Sequence, residues 1–509
     1  MTEKTISARV ACLLIFTILM TRVIYFYYSP DGTLIKIIPD DAFYYIQMAK
    51  HRIADGFWTF DGKVATTGFH LLYGYLLACI FYNFGNIEWR TLYLIIGIIA
   101  SLSISISCYW TTSTVKKTIN QQSIALSAAA FMTPIAIIQS TSMMESWLTL
   151  LLASATISSI TKTTHKNTTV LLISIGILGS LTRSDYGLLP GMMFIACLTT
   201  DTSDNSVLTK KSMAILAGAL IGIAIVTAHN LQTTSHLYQS SAEVKLFWSR
   251  IAGHNILVPI NLLMFTITPF YTDTSPTLKL VFGFCTISYV VFVIFHKRSE
   301  KIPPPDSYAI TLALGCALTV MGYMILYRHN SQALKTWYSG NLIIPVSYLL
   351  GMFGYYLNTR TPKAIIFLYL IYLLNGITNL FSTPWPGQTA MMETGIYLKN
   401  FQSDAVFASW NAGIYSYFSN RPLINLDGLA NDEVLYYIKH NSLSTYIRKR
   451  NIRYIVDCQA MLSNKTIQAR GGYQDNSFLK CLNPVYTTHS DINNTAQSPA
   501  IFEILPHCG

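Results

Sequence analysis

Long apolar runs alternate with short polar segments along most of this chain. They lie at 7–28, 92–112, 123–142, 146–161, 169–182, 187–199, 212–229, 279–296, 308–326, 339–357 and 364–382. Most are long enough to cross a bilayer as helices, which takes about 20 residues at a rise of about 1.5 Å each. Two further runs, 68–84 and 257–273, fit either a crossing or a helix lying at the membrane face. Beyond Pro384 the pattern changes: Asn, Asp, Ser and Thr become frequent, and apolar segments shorten to strand length at 406–409, 423–426, 454–457 and 501–504. Helical periodicity returns between them, at 388–401 and 431–450. The pattern predicts an α-helical polytopic membrane domain over 1–383 and a small water-soluble α/β domain over 384–509.

Composition supports lipid as the main solvent. Apolar residues make up 51% of the chain and charged residues 12%, about half the charge density of a soluble domain. The net charge of +11 does not signal nucleic acid, because the basic residues cluster in short loops between apolar runs, the pattern that sets topology. Lys4 and Arg9 precede the first run, which continues through Tyr25, Tyr27 and Tyr28 without a small-residue cleavage site. It reads as a retained first helix. Cys12, Cys79, Cys108, Cys197, Cys285 and Cys316 lie in or beside apolar runs as packing residues, whereas Cys458, Cys481 and Cys508 fall in the tail, where one disulfide is expected.

Loop charges then set the orientation. With Lys4 and Arg9 inside, the pairs at Lys116–Lys117, Lys162–Lys166, Lys210–Lys211, Lys297–Arg298 and Arg360–Lys363 all fall inside if 68–84 and 257–273 do not cross. The result is eleven crossings, with segment 29–91 and the tail outside. Asp40, Asp41, Glu145, Arg183, Asp185, His229, Lys245, Arg328 and Lys335 then map to the outer side. Singly each is an ordinary polar loop residue; as a set they point to function, since ionisable groups near hydrocarbon are costly.

In the first outer segment, Asp40 to Gly56 reads as an interfacial helix opened by an acid and stopped by glycine. Asp40 is either a helix cap with Asp41 as its dipole partner, or one of the two is a general base at the interface.

Asp40-Asp41-Ala-Phe-Tyr-Tyr, then Gly56-Phe-Trp-Thr-Phe-Asp61-Gly62 and Thr66-Thr67-Gly68-Phe69-His70, resembles the first periplasmic loop of GT-C membrane glycosyltransferases. That superfamily includes protein O-mannosyltransferases, the aminoarabinose transferase of lipid A and arabinofuranosyltransferases. Met144-Glu145-Ser146, Leu181-Thr182-Arg183-Ser184-Asp185 and Trp337-Tyr338 continue the order, and Ser409-Trp410-Asn411, Tyr417 and Asn425-Leu426-Asp427-Gly428 are similar to the soluble domains of bacterial members. Ser184 stands where relatives often have proline, and the WWD signature of oligosaccharyltransferases is missing.

The resemblance implies a GT-C fold in a bacterial inner membrane, the tail in the periplasm, and inverting transfer of one sugar from a polyprenyl-phosphate donor to an acceptor hydroxyl. The acceptor is a pilin or other surface protein, a glycan or a lipid. Asp40 is the expected base and Asp41 the runner-up. Lys245, Arg328, His329 and Lys335 are candidates for the lipid phosphate, and His70, Glu145, Arg183, Asp185, Trp337 and Tyr338 for substrate contacts. Asp41 and Glu145 offer hard oxygen ligands for magnesium or calcium. A lipid-linked glycan flippase and a surface-glycan polymerase or ligase are the rival readings; the flippase would show inverted repeats, which the sequence lacks.

Overall fold

The computed structural model describes residues 7–161, 168–200, 205–253, 305, 307–327, 336–358, 362–402, 404–488 and 498–505. These are mostly helical and divide into two compact units. One comprises 1–27, 90–225 and 254–382; the other comprises 28–89, 226–253 and 383–509. The sequence pattern expects 29–91 within the membrane domain; residues 28–89 fall in the second compact unit.

The apolar runs become helices at Ala8–Tyr27, Trp89–Thr118, Ser146–Thr161, Thr168–Thr182, Leu188–Thr199, Asn205–Thr234, Ser307–Leu326, Gly340–Asn358 and Pro362–Thr378. Among the described residues five helices, including Ala8–Tyr27 and Trp89–Thr118, are long and apolar enough to cross a membrane. The chain is an α-helical polytopic membrane protein with a small α/β domain at its C-terminal end. Runs 257–273 and 279–296 lie outside the described residues.

Run 123–142 is not one helix. It breaks into Ile124–Ala129, a 3-10 turn at Ala130–Met132, and Pro134–Gln139. Pro134 has no amide to donate and forces the preceding residue out of the helical region; Thr133 is extended, with its hydroxyl capping the Ala136 amide. The segment is buried apart from the half-buried Ala125, and burial in protein is where non-helical backbone is tolerated at membrane depth.

Arg22, on the first helix, is also fully buried. It donates to Thr141 Oγ1 at 3.0 Å and to the carbonyls of Asn379 (3.2 Å), Leu380 (2.6 Å) and Ser382 (3.0 Å). The guanidinium thus caps the C-terminal end of the helical segment that runs into Asn379–Phe381, where orphan carbonyls and the helix dipole both favour a cation.

In the second unit the tail forms a five-stranded sheet. Its strands are β1 (Val406–Ser409), β2 (Leu423–Asn425), β3 (Ile452–Cys458), β4 (Leu482–Thr487) and β5 (Pro499–Ile504), in the order β2-β1-β3-β5-β4. β1 pairs in parallel with both β2 and β3, and β5 pairs antiparallel with β3 and β4. Because β1 leads to a parallel neighbour on either side, the loops after β1, β2 and β3 converge at one end of the sheet, the usual site position in such folds. Cys481 is disulfide-bonded and Cys458 is free.

Candidate active site

The helix Asp40–Ala54 starts after Pro39, whose fixed φ suits a helix entry, and no side chain caps it. Asp40 instead caps a different helix, Gly413–Ser419, which follows β1. Its Oδ1 accepts from the Ile414 amide at 2.6 Å and its Oδ2 from the Gly413 amide at 3.3 Å. Gly413 is required there, because a β-carbon would stand 2.4 Å from the Asp40 carbonyl oxygen. One turn on, the Tyr44 hydroxyl accepts from the Ala412 amide at 2.8 Å and from Asn425 Nδ2 at 3.0 Å. Gln47 donates to Ser416 Oγ at 3.1 Å, and Lys50 lies over the Tyr417 ring at 4.5 Å. Residues 40, 44 and 47 share one helix face, and that face is bound along the β1–β2 end of the tail.

Burial sets the electrostatics. Asp40 is only 8% exposed, and loss of solvation pushes its carboxyl up to about 7 despite the two amide bonds. Burial likewise raises Asp457 to about 6, against bonds from the Trp410 amide, Tyr473 and Ser409. Asp427, which accepts from the Leu429 amide at 2.7 Å, is held well above the ordinary carboxylate range by burial, with the charges of Asp41 and Asp40 adding to the effect. Asp41 differs from all three: it is half-buried, and among the described residues no hydrogen bond or ion pair is recorded for it. Of the two sequence candidates, Asp40 is committed to the tail and Asp41 keeps its oxygens for another partner.

The Thr66-Thr67-Gly68-Phe69-His70 motif serves attachment. Thr66 Oγ1 donates to Asp432 Oδ1 at 3.0 Å and Thr67 Oγ1 to Asp432 Oδ2 at 3.3 Å, at the start of the helix Asp432–Lys439. A β-carbon on Gly68 would meet the Leu429 carbonyl oxygen at 1.8 Å. His70 is half-buried at the head of the helix Leu71–Phe84, its amide donating to Tyr45 Oη at 3.3 Å. Lys245 is half-buried on the helix Ser240–Ala252. Trp410 is core, stacked on Trp248 at 6.1 Å.

The remaining motif residues meet in the membrane unit. Arg183 Nη1 donates to Glu145 Oε1 at 2.6 Å, and its Nε and Nη2 form a bidentate pair with Asp185, each at 3.0 Å. Nη2 also reaches Tyr327 Oη at 3.3 Å, and the guanidinium lies 4.5 Å from the Tyr338 ring centroid. Asn341 Nδ2 and Tyr327 Oη donate to Asp185 Oδ2, the former at 3.0 Å, and Tyr323 Oη donates to the Asp185 carbonyl at 2.9 Å. Trp337 is buried, its carbonyl accepting from Ser146 Oγ at 3.0 Å. Met143, in a left-handed conformation at φ 54°, turns the chain so that Glu145 enters the head of its helix. Sequence brought Glu145, Arg183, Asp185 and Tyr338 forward; Tyr323, Tyr327 and Asn341 carry no local signal. Arg328, His329 and Lys335 lie outside the described residues.

Among the described residues no group of three or more His, Cys, Asp or Glu is placed to hold a metal, and Glu145 Oε1 is taken by Arg183. Asp41 and Glu145 thus have no further carboxylate, His or Cys grouped with them as metal ligands among the described residues.

A family model described as a domain of unknown function (DUF8728) matches residues 385–496. No curated protein matches the chain. Among solved structures, ArnT of Cupriavidus metallidurans bound to undecaprenyl phosphate aligns with a TM-score of 0.59 at 9% identity, covering 97% of this chain and 98% of that one. Its apo form aligns at 0.49 with 11% identity, over 99% of each chain. An oligosaccharyltransferase of Archaeoglobus fulgidus, in complex with zinc and sulfate, aligns at 0.49 with 10% identity over 92% of this chain and 70% of that one. At 9% identity the likeness is one of fold: this chain has, along nearly its whole length, the fold of ArnT.

Proposed function

We propose that the protein is a GT-C glycosyltransferase that moves a single sugar from a polyprenyl-phosphate donor to an acceptor hydroxyl on the outer face of a bacterial inner membrane. The observation that carries this is the end-to-end alignment with an ArnT solved with undecaprenyl phosphate. The acid pair of the first outer segment fits the chemistry such a donor requires.

The reaction is a displacement at the anomeric carbon. The acceptor oxygen bonds to that carbon as the bond to the lipid phosphate oxygen breaks, and the hydroxyl proton must leave. Asp41 is the base: the residue is half-buried and has no hydrogen bond or ion pair among the described residues, whereas a proton accepted by Asp40 would have to enter a site already closed by two tail amides. Negative charge growing on the departing phosphate calls for a cation, and Lys245, Arg328, His329 and Lys335 are the candidates. Arg183 ranks behind them, since Glu145, Asp185 and Tyr327 take four of its five N–H groups; the cluster serves to hold the outer ends of its helices. Direct attack inverts the configuration, so proton NMR of the product should give the opposite anomer to the donor. A retained configuration would refute the single displacement. No step here runs through a metal ion.

A further inference from the structure

Lys50 is a half-buried cation that the transfer reaction does not use. Its ammonium lies over the Tyr417 ring at 4.5 Å and the Phe81 ring at 5.7 Å. Among the described residues no hydrogen bond or ion pair is recorded for that ammonium. Burial holds its pKa below the usual lysine range, and no acid offsets the effect. The charges near it in the chain are engaged elsewhere: Asp55 pairs with His51 at 2.6 Å, Arg52 donates to the Gly56 carbonyl, and the exposed Glu88 acts on the Tyr417 hydroxyl. Asp41 and Lys50, nine positions apart on the helix Asp40–Ala54 at about 100° each, lie on opposite sides of it. A partly desolvated ammonium with only aromatic faces around it is short of an anion.

The surroundings say which anion. Phe81 belongs to the helix Leu71–Phe84, whose 14 residues include no charged side chain and, at about 1.5 Å each, are too short for a hydrocarbon core of about 30 Å. Its outward stripe is Tyr75, Cys79 and Tyr82, with Phe84 at the end; Tyr82 is 75% and Phe84 67% exposed. Outward aromatics on an apolar helix of this length belong at a membrane interface. Shortly after Phe84, Trp89 opens a helix long and apolar enough to cross a membrane. The Trp89 ring lies 5.6 Å from Phe418, and Phe418 lies 5.2 Å from Tyr417. Lys50 therefore stands two rings from the head of a membrane-crossing helix, beside exposed aromatics, at the level of phospholipid phosphates.

We propose that Lys50, between Phe81 and Tyr417, binds the phosphodiester of a net-anionic membrane phospholipid whose glycerol and acyl chains lie along Tyr82 and Phe84. The site is separate from sugar transfer and does not rest on that reading. Free phosphate and a polyprenyl phosphate carry the same chemistry, and the test separates them.

The test is native mass spectrometry of the purified full-length protein, delipidated in detergent and titrated with phosphatidylglycerol. Lys50→Gln should lower the tightest lipid adduct about fivefold, the worth of one lysine near an anionic leaflet, and Lys50→Arg should restore it. Tyr82→Ser with Phe84→Ser should lower it with Lys50 in place, and that pair decides the matter if Lys50→Gln does not fold. Asp41→Asn should leave the adduct unchanged. Equal adducts in the wild type and these variants overturn the inference, as does the same dependence on Lys50 for zwitterionic phosphatidylcholine. Displacement of the lipid by inorganic phosphate would make this a free-anion site, and a dependence on Lys50 for undecaprenyl phosphate alone would give the residue to the donor; either overturns the phospholipid assignment. A Lys50-dependent adduct in a protein that transfers no sugar would instead overturn the proposed function and leave this site standing.

Discussion

Asp40 accepts the backbone amide of Ile414 at 2.6 Å across 374 residues of sequence. An acid that opens one helix therefore closes the N-terminal end of another. The bond ties the residue beside the proposed base to the tail.

The first consequence concerns pH. Asp40 and Asp457 sit at about 7 and about 6 in the fold, against about 3.9 in an unfolded chain. Between those values the folded form binds more protons than the unfolded one, so stability present below about pH 4 is lost as pH rises through 7. The melting temperature should fall from pH 5 to pH 7.5. Asp40→Asn, which keeps an acceptor but cannot ionise, should flatten that slope; an unchanged slope would remove Asp40 from the account.

Gly413→Ala places a methyl group 2.4 Å from the Asp40 carbonyl. Overpacking of this kind costs about 1–3 kcal/mol. Chemical denaturation should show that loss, together with reduced transfer although Asp41 is untouched.

Arg183→Met leaves Glu145 and Asp185 buried without their cation. Breaking a buried pair in this way costs about 3–5 kcal/mol. The loss should be read as a lower unfolding midpoint in detergent. Adding Glu145→Gln and Asp185→Asn should restore part of it.

Arg22→Met strips the carbonyls of Asn379, Leu380 and Ser382 of a donor. Each buried acceptor left unmet costs about 1–3 kcal/mol. Arg22→Lys should rescue little, because a single ammonium cannot reproduce the planar fork that reaches Thr141 and three carbonyls at once. Thermal melts of the two variants should therefore be close.

Much of the fold was legible in the sequence, because hydrophobic period and run length depend on local residues alone. Helices such as Ser307–Leu326 and strands such as β1 fall where the pattern put them. The exceptions have local physical causes. Pro134 divides a run that reads as one crossing. Asn441, left-handed at φ 53°, splits the predicted 431–450 helix into Asp432–Lys439 and Leu443–Lys449. β4 carries Pro484 and lies at the sheet edge with little burial, so neither alternation nor β-branching announced it. The motif residues Glu145, Arg183 and Asp185 were legible as chemistry, and the structure brings them together. Their partners Tyr323, Tyr327 and Asn341 come from other helices, and no spacing rule reaches that far. Asp40 was legible as an acid at a helix start and ranked above Asp41 because it matches the leading acid of the motif; its partners at Gly413 and Ile414 were not legible.

Sugar transfer from a radiolabelled polyprenyl-phosphate sugar, measured for the wild type, Asp40→Asn and Asp41→Asn in parallel, tests the central claim most directly. The wild type should release lipid phosphate and label the acceptor. Asp40→Asn should retain most of that rate, and Asp41→Asn should lose about 10²–10⁴-fold, the worth of a general base, with donor binding unchanged. An Asp41→Asn protein as fast as the wild type would contradict the account.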